Sequence, residues 1–168
     1  MLIQPIYAQV FDKLATFPYW FGAVALVAAF ASFLNAMLVV RFGMRRLVTL
    51  ALVIQIMLSG TLLASSSYVT ENGFAVFLLW QAYIFFQAGL TIGNLNAIAM
   101  EPMGHIAGMA ASVIGATATV LAASIASPVG LTFDGTINPL MTAVLIMAIM
   151  ALILMLYMRR LEKRGAAA

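Results

Sequence analysis

The sequence predicts an all-α polytopic membrane protein with five transmembrane helices, and three observations carry that prediction. Hydrophobic residues make up 65% of the chain and charged residues only 8%, with a mean hydropathy of +1.11, which excludes an ordinary soluble domain. Five apolar stretches, at about residues 17–40, 47–67, 74–100, 106–129 and 140–158, can each cross a bilayer core about 30 Å thick, which needs roughly 20 helical residues. Basic clusters follow the first and the fifth stretch, whereas the turns that fall on the other side carry only acids.

The stretch at 74–100 organises the others. It contains no charge, yet Trp80, Tyr83, Gln87, Thr91 and Asn94 recur at steps of three and four and so share one helix face. Ala82, Gly89 and Gly93 fall on roughly the opposite side. Aromatic and hydrogen-bonding groups on one face and small residues on the other suit a helix inside a bundle, with one side toward a cavity.

The remaining elements follow in order. Residues 1–16 are too short a lead to span, and read either as an interfacial segment or as the end of an earlier helix. They are not a secretory signal, because no basic region precedes the apolar run. Pro18 begins the first span at a position where a missing N–H costs nothing. Ala25, Ala28, Ser32 and Asn35 line one of its faces, which permits close packing and a hydrogen bond from Asn35. The loop RFGMRR then supplies Arg41, Arg45 and Arg46, either as a cytoplasmic anchor or in gating. The second span holds Gln55 as its one strongly polar interior residue, and it closes on a turn with Glu71 and Asn72-Gly73.

Pro102 and Gly104 are expected to stop the third span, with Glu101 and His105 in the same turn. Gly108, Ser112, Gly115, Thr119, Ala122 and Ala126 make a smooth seam along the fourth span, which argues for close backbone approach to a partner. Pro128 and Gly130 lead out of it, Asp134-Gly135 reads as a turn, and Asn138 reads as an N-cap with Pro139 at the first helical position. The fifth span is almost uniformly apolar, as a peripheral helix facing lipid would be. RRLEKR and a small tail, residues 159–168, form a basic cytoplasmic end.

Function classes narrow accordingly. The net charge of +3 comes from a few topology-type clusters and does not point to nucleic acid. There is no cysteine and one histidine, and no HExxH, P-loop or GxSxG motif, so no metal site, cofactor or catalytic residue is expected and the chain is not read as an enzyme. Placing both basic clusters inside gives an external N-terminus and a cytoplasmic C-terminus in a plasma membrane. The third-span polar face and the fourth-span seam both ask for a partner beyond the lipid bilayer: a second copy, another membrane subunit or further sequence.

The run GNLNAIAMEPMGHIAGMAASVIG, residues 93–115, resembles drug:proton antiporters of the bicyclomycin and chloramphenicol resistance type in the major facilitator superfamily. The matching positions are Gly93, Asn94, Asn96 and Ala97 at the end of one helix. Pro102, His105, Ala107, Gly108, Ala110 or Ala111, and Ser112 then open the next. FDGTINP and RFGMRR resemble two further loops of that family. The resemblance implies part of a C-terminal six-helix bundle, about helices eight to twelve, with residues 1–11 ending helix seven. It implies proton-coupled export of small amphipathic, drug-like compounds by alternating access from a bacterial inner membrane, with the missing N-terminal bundle as partner. Proton-coupling carboxylates are expected in that bundle, and none of the five spans buries an ionisable side chain. The chain alone is then not transport-competent.

On this reading Trp80, Tyr83, Gln87, Thr91 and Asn94 are substrate-cavity candidates, although Trp80 also suits an interfacial belt and Asn94 a bundle hydrogen bond. Ser32, Asn35, Gly89, Gly93, Gly108, Ser112 and Gly115 are helix-packing candidates. Arg41, Arg45, Arg46, Glu101 and His105 are loop or gating candidates. The alternative is a small self-contained membrane protein that oligomerises or packs with a transporter.

Overall fold

The computed structural model describes residues 2–65 and 73–165, and every regular element among them is helical. Six α-helices run α1 Ile3–Gln9, α2 Phe17–Phe42, α3 Met44–Ala64, α4 Gly73–Met100, α5 Ala107–Leu131 and α6 Asn138–Gly165. The expectations placed on Glu71, Asn72, the end of the second span and residues 166–168 lie outside the described residues. Four helical runs are long and apolar enough to cross a membrane. The third of these, Gly73–Leu131, contains both α4 and α5, joined by a 3₁₀ segment at Glu101–Ile106 where Met103 leaves helical geometry. The chain therefore has the character of a multi-pass membrane protein.

Local chemistry sets most boundaries. Gly43 adopts φ +79°, a conformation L side chains rarely tolerate, and it both closes α2 and opens α3. α4 stops at Met100 because Pro102 follows and the residues around it tighten into the 3₁₀ turn. α5 runs from Ala107 through Pro128 to Leu131, close to the expected 106–129. Pro128 removes its own N–H from the ladder, and the three residues after it complete the last turn. α6 differs at both ends from the sequence reading. Its first helical residue is Asn138 itself, so Pro139 is the second, and the Asn138 N–H is taken by the Thr136 hydroxyl at 3.3 Å. At the other end RRLEKR continues the helix as far as Gly165 instead of forming a separate tail.

α4 is the hub. α2 runs parallel to it and packs along its length, while α3 packs on α4 with one side and on α6 with another. α6 buries Met141, Ala148 and Met155, a seven-residue repeat that keeps one stripe against its neighbours while the rest stays apolar and exposed. α6 is thus lipid-like on most of its surface but seated on α3 through Val48 and Leu52. α5 stands apart, and Ala110 is its one buried residue.

α1 is a structural member of the bundle. Ile6 and Tyr7 are fully buried in a cluster with Leu2, Phe77, Trp80 and Met141. Edge-to-face contacts join Tyr7 to Phe17, Phe74 and Phe77 at 5.1–6.0 Å. Phe11 meets Phe74 and Tyr7 meets Gln81, so α1 runs antiparallel to α4.

Candidate functional site

The hydrogen-bonding face of α4 is spent mainly on its neighbours. Trp80 is buried, and its indole N–H donates to Ser59 Oγ at 3.0 Å. Ser59 also accepts Gln55 Nε2 at 2.8 Å, so one hydroxyl joins α3 to α4. This overturns the belt alternative for Trp80, because a belt residue faces the interface and this one faces α3. Tyr83 donates to the Ala51 backbone carbonyl at 3.0 Å, again on α3. Asn94 turns toward α2: its Nδ2 donates to Asn35 Oδ1 at 2.7 Å, and Asn35 Nδ2 returns a 3.5 Å contact. With no water in a bilayer core, such pairs satisfy polar groups that would otherwise be costly. Trp80 and Tyr83 also border a cavity of about 470 Å³ between α3 and α4, and Gln87 and Thr91 line a second.

The cavity at Gln87 and Thr91 holds about 510 Å³ between α3, α4 and α6. Gln55, Gln87 and Thr91 are its polar lining among aliphatic and methionine side chains. Gln55 Oε1 and Gln87 Oε1 are buried without a hydrogen-bond partner, as is Gln81 Nε2 beside α1. Buried polar atoms normally find partners, so these orphans mark unfinished packing. Gln55 was recognised in the sequence only as polar. Its place in the cavity depends on α3 meeting α4 and α6, whereas its bond to Ser59 is an i, i+4 pair within α3 that helical spacing could have shown.

The small-residue predictions divide sharply. At Gly89 an added Cβ would lie 2.6 Å from the Ala28 carbonyl oxygen, so α2 and α4 touch backbone to backbone there. Ser32 Oγ donates to the Ala28 carbonyl at 3.2 Å and lies 3.5 Å from that of Gly89. Gly93, Gly108 and Gly115 have open space where a Cβ would stand, and Ser112 donates only to its own helix, at the Gly108 carbonyl. The α5 seam therefore faces outward and is not packed within the chain.

Among the loop candidates, Arg45 does the joining. Its Nη2 meets Glu101 Oε2 at 2.9 Å and Glu162 Oε1 at 2.8 Å, and its Nε donates to the same Glu162 oxygen at 3.0 Å. One guanidinium thus ties the start of α3, the α4–α5 turn and the end of α6. A larger opening of about 1060 Å³ lies behind it, between α4, α5 and α6. Arg41 stacks over Phe42 at 5.5 Å, and Arg41, Arg46 and His105 are all exposed. Glu101 pairs with Arg45 rather than with the neighbouring His105. No group of three or more metal-ligating side chains occurs among the described residues.

Taken together, the described chain is an all-helical, multi-pass membrane bundle with one tightly joined block and one open flank. No family model, characterised protein or solved structure matches this chain.

Proposed function

We propose that this chain forms part of the C-terminal helix bundle of a proton-coupled drug exporter of the major facilitator superfamily, of the bicyclomycin and chloramphenicol resistance type. In this reading α2 to α6 are five spans, the basic ends of α2 and α6 face the cytoplasm of a bacterium, and small amphipathic compounds are the cargo. The observation that carries it is mechanical. Trp80–Ser59, Tyr83–Ala51, Asn94–Asn35 and the Gly89 contact lock α2, α3 and α4 into one block, while the small-residue face of α5 is left uncovered. Alternating access needs such a pairing, a rigid bundle and a smooth face on which a second bundle can rock. Trp80, Tyr83 and Asn94 then serve rigidity. Cargo would meet the exposed flank of α5 and the neighbouring end of α4 instead. Proton coupling would come from carboxylates on the other bundle.

The test is accumulation of chloramphenicol in bacteria stripped of their own exporters. Co-expression with a separate N-terminal six-helix bundle of this exporter type should lower accumulation, and a protonophore should abolish the effect. Gly115→Leu on α5 should remove the effect without loss of expression. No change on co-expression, or full activity of the chain alone, would sink the reading.

A second reading is favoured by the same open seam: a self-contained module that oligomerises through α5. It predicts a single defined oligomer in mild detergent, dispersed by Gly115→Leu.

A further inference from the structure

The seam where α3 packs on α6 has an outer flank, turned away from α4, that is basic at one end and apolar along the rest. We propose that this flank binds an anionic phospholipid. Arg46, Arg159 and Lys163 would hold its phosphate, and an acyl chain would lie along the crevice between the two helices.

Arg41, Arg45 and Arg46 around the α2–α3 junction, with Arg159, Arg160, Lys163 and Arg164 late in α6, are seven of the chain's eight Lys and Arg residues. The bond from Arg45 to Glu162 brings both groups to one end of the bundle. Among the described residues, the carboxylates at that end are Glu101 and Glu162, and both are bonded to Arg45. The other six cations are exposed, with no ion pair among the described residues. Arg159 and Lys163 are four residues apart on α6, as are Arg160 and Arg164, a spacing at which like charges repel. The helix nevertheless continues to Gly165. This end lacks an anion.

The shape of the flank says which anion. On α3, Val48 and Leu52 pack on Met155 of α6, and the Ala51 carbonyl meets Tyr83 of α4. Arg46, Thr49, Val53 and Ile56 follow at steps of three and four on the side of α3 away from Ala51. On α6, Val144, Ala151 and Met158 face the cavity shared with α4. Leu145, Ile149, Leu152, Leu156, Arg159 and Lys163 recur at steps of four and three on the other side of the seam. The two stripes therefore border one crevice. Thr49, Val53, Ile56 and Leu152 are half-buried along it, while Ile149 and Leu156 are exposed.

The length fits a lipid. Arg46 to Ile56 rises about 15 Å along α3, half the thickness of a bilayer core of about 30 Å. An acyl chain of one leaflet is thus as long as the crevice, and the cations stand where its phosphate would be. A soluble acidic partner would meet the cations but leave the apolar crevice uncovered. A parallel second copy would bring its own basic end against this one.

The test uses the full chain, whose lack of cysteine allows one fluorophore-bearing cysteine to be placed at a time. Leu156→Cys stands in the crevice, and Leu26→Cys stands on an exposed part of α2 far from the cations. Each labelled chain is reconstituted in phosphatidylcholine vesicles, with brominated phosphatidylglycerol or brominated phosphatidylcholine as quencher. At Leu156→Cys, phosphatidylglycerol should associate at least about five-fold more strongly, the effect of one basic residue or more at a membrane surface. At Leu26→Cys the two lipids should quench alike. Arg46→Gln combined with Lys163→Gln, both at exposed positions, should remove the preference, and Lys163→Arg should keep it. Equal quenching by the two lipids at Leu156→Cys would overturn the inference. So would the same preference at Leu26→Cys, or one that survives the paired glutamine substitutions. A fluorophore at Leu156→Cys that neither lipid reaches would also overturn it, because protein then covers the crevice. No transport is measured, so this inference and the exporter reading fail separately.

Discussion

Gly89 and Gly93 are one turn apart on α4 and look equivalent in the sequence, yet they differ in what a methyl group would meet. Gly89→Ala should push α2 away from α4 and destabilise the bundle by about 1 to 3 kcal/mol in SDS unfolding. Gly93→Ala should be neutral or stabilise by up to about 1 kcal/mol, because nothing stands near its Cβ position and alanine is the better helix former. Ser59 makes a similar point for hydrogen bonding. Ser59→Ala strands both the Trp80 N–H and Gln55 Nε2 in an apolar interior, so a loss of about 1 to 3 kcal/mol is expected, with a shift in tryptophan fluorescence. Asp134 offers a pH-dependent case outside the helices. The Thr136 hydroxyl and backbone N–H bond to its carboxylate and hold its pKa below the ordinary 3.8. Its contribution is therefore complete above the unfolded value and is lost as pH falls through the depressed folded one. Asp134→Asn should flatten the acid limb of α6 protection in hydrogen exchange.

Elements are joined here by different means at the two ends of the bundle. Aromatic packing around Tyr7 closes one end, and the Arg45–Glu101–Glu162 bridge closes the other. Arg45 is about one third exposed, so the bridge is worth only about 1 kcal/mol. Arg45→Gln should lower stability by that amount at low salt, and the difference should shrink in high salt as screening replaces the pair. Helix existence and type were legible in hydropathy alone, whereas several ends were not. α6 carries its basic run as helix to Gly165, because late-turn geometry decides such ends and composition does not. Polarity marked Asn35 and Asn94 as residues that bond to another helix, but that they bond to each other is known only from the structure. The seven-residue stripe of α6 was hidden because Met141, Ala148 and Met155 lie in an apolar run with no polar face to contrast with them.

For the whole molecule, the break at 101–106 is decisive. A straight helix of the 59 residues of Gly73–Leu131 would be about 88 Å long, far beyond a bilayer core of about 30 Å. The exporter reading therefore expects His105→Cys and Lys163→Cys to be closed to a membrane-impermeant maleimide in intact cells, and Asp134→Cys to be labelled. Labelling of His105→Cys under those conditions would refute five spans with a cytoplasmic C-terminus. The sequence by itself determined that the chain is helical and suited to a membrane, because hydropathy and charge act locally along the chain. It also gave the small-residue and polar stripes, since helical periodicity places them without any partner. Only the tertiary structure decided which stripe is used: α4 spends its polar face on α2 and α3, Gly89 is in contact while Gly93 and the α5 seam are not. The reason is physical. In hydrocarbon there is little hydrophobic drive between helices, so pairing rests on backbone approach and single hydrogen bonds, and these depend on where another helix lies.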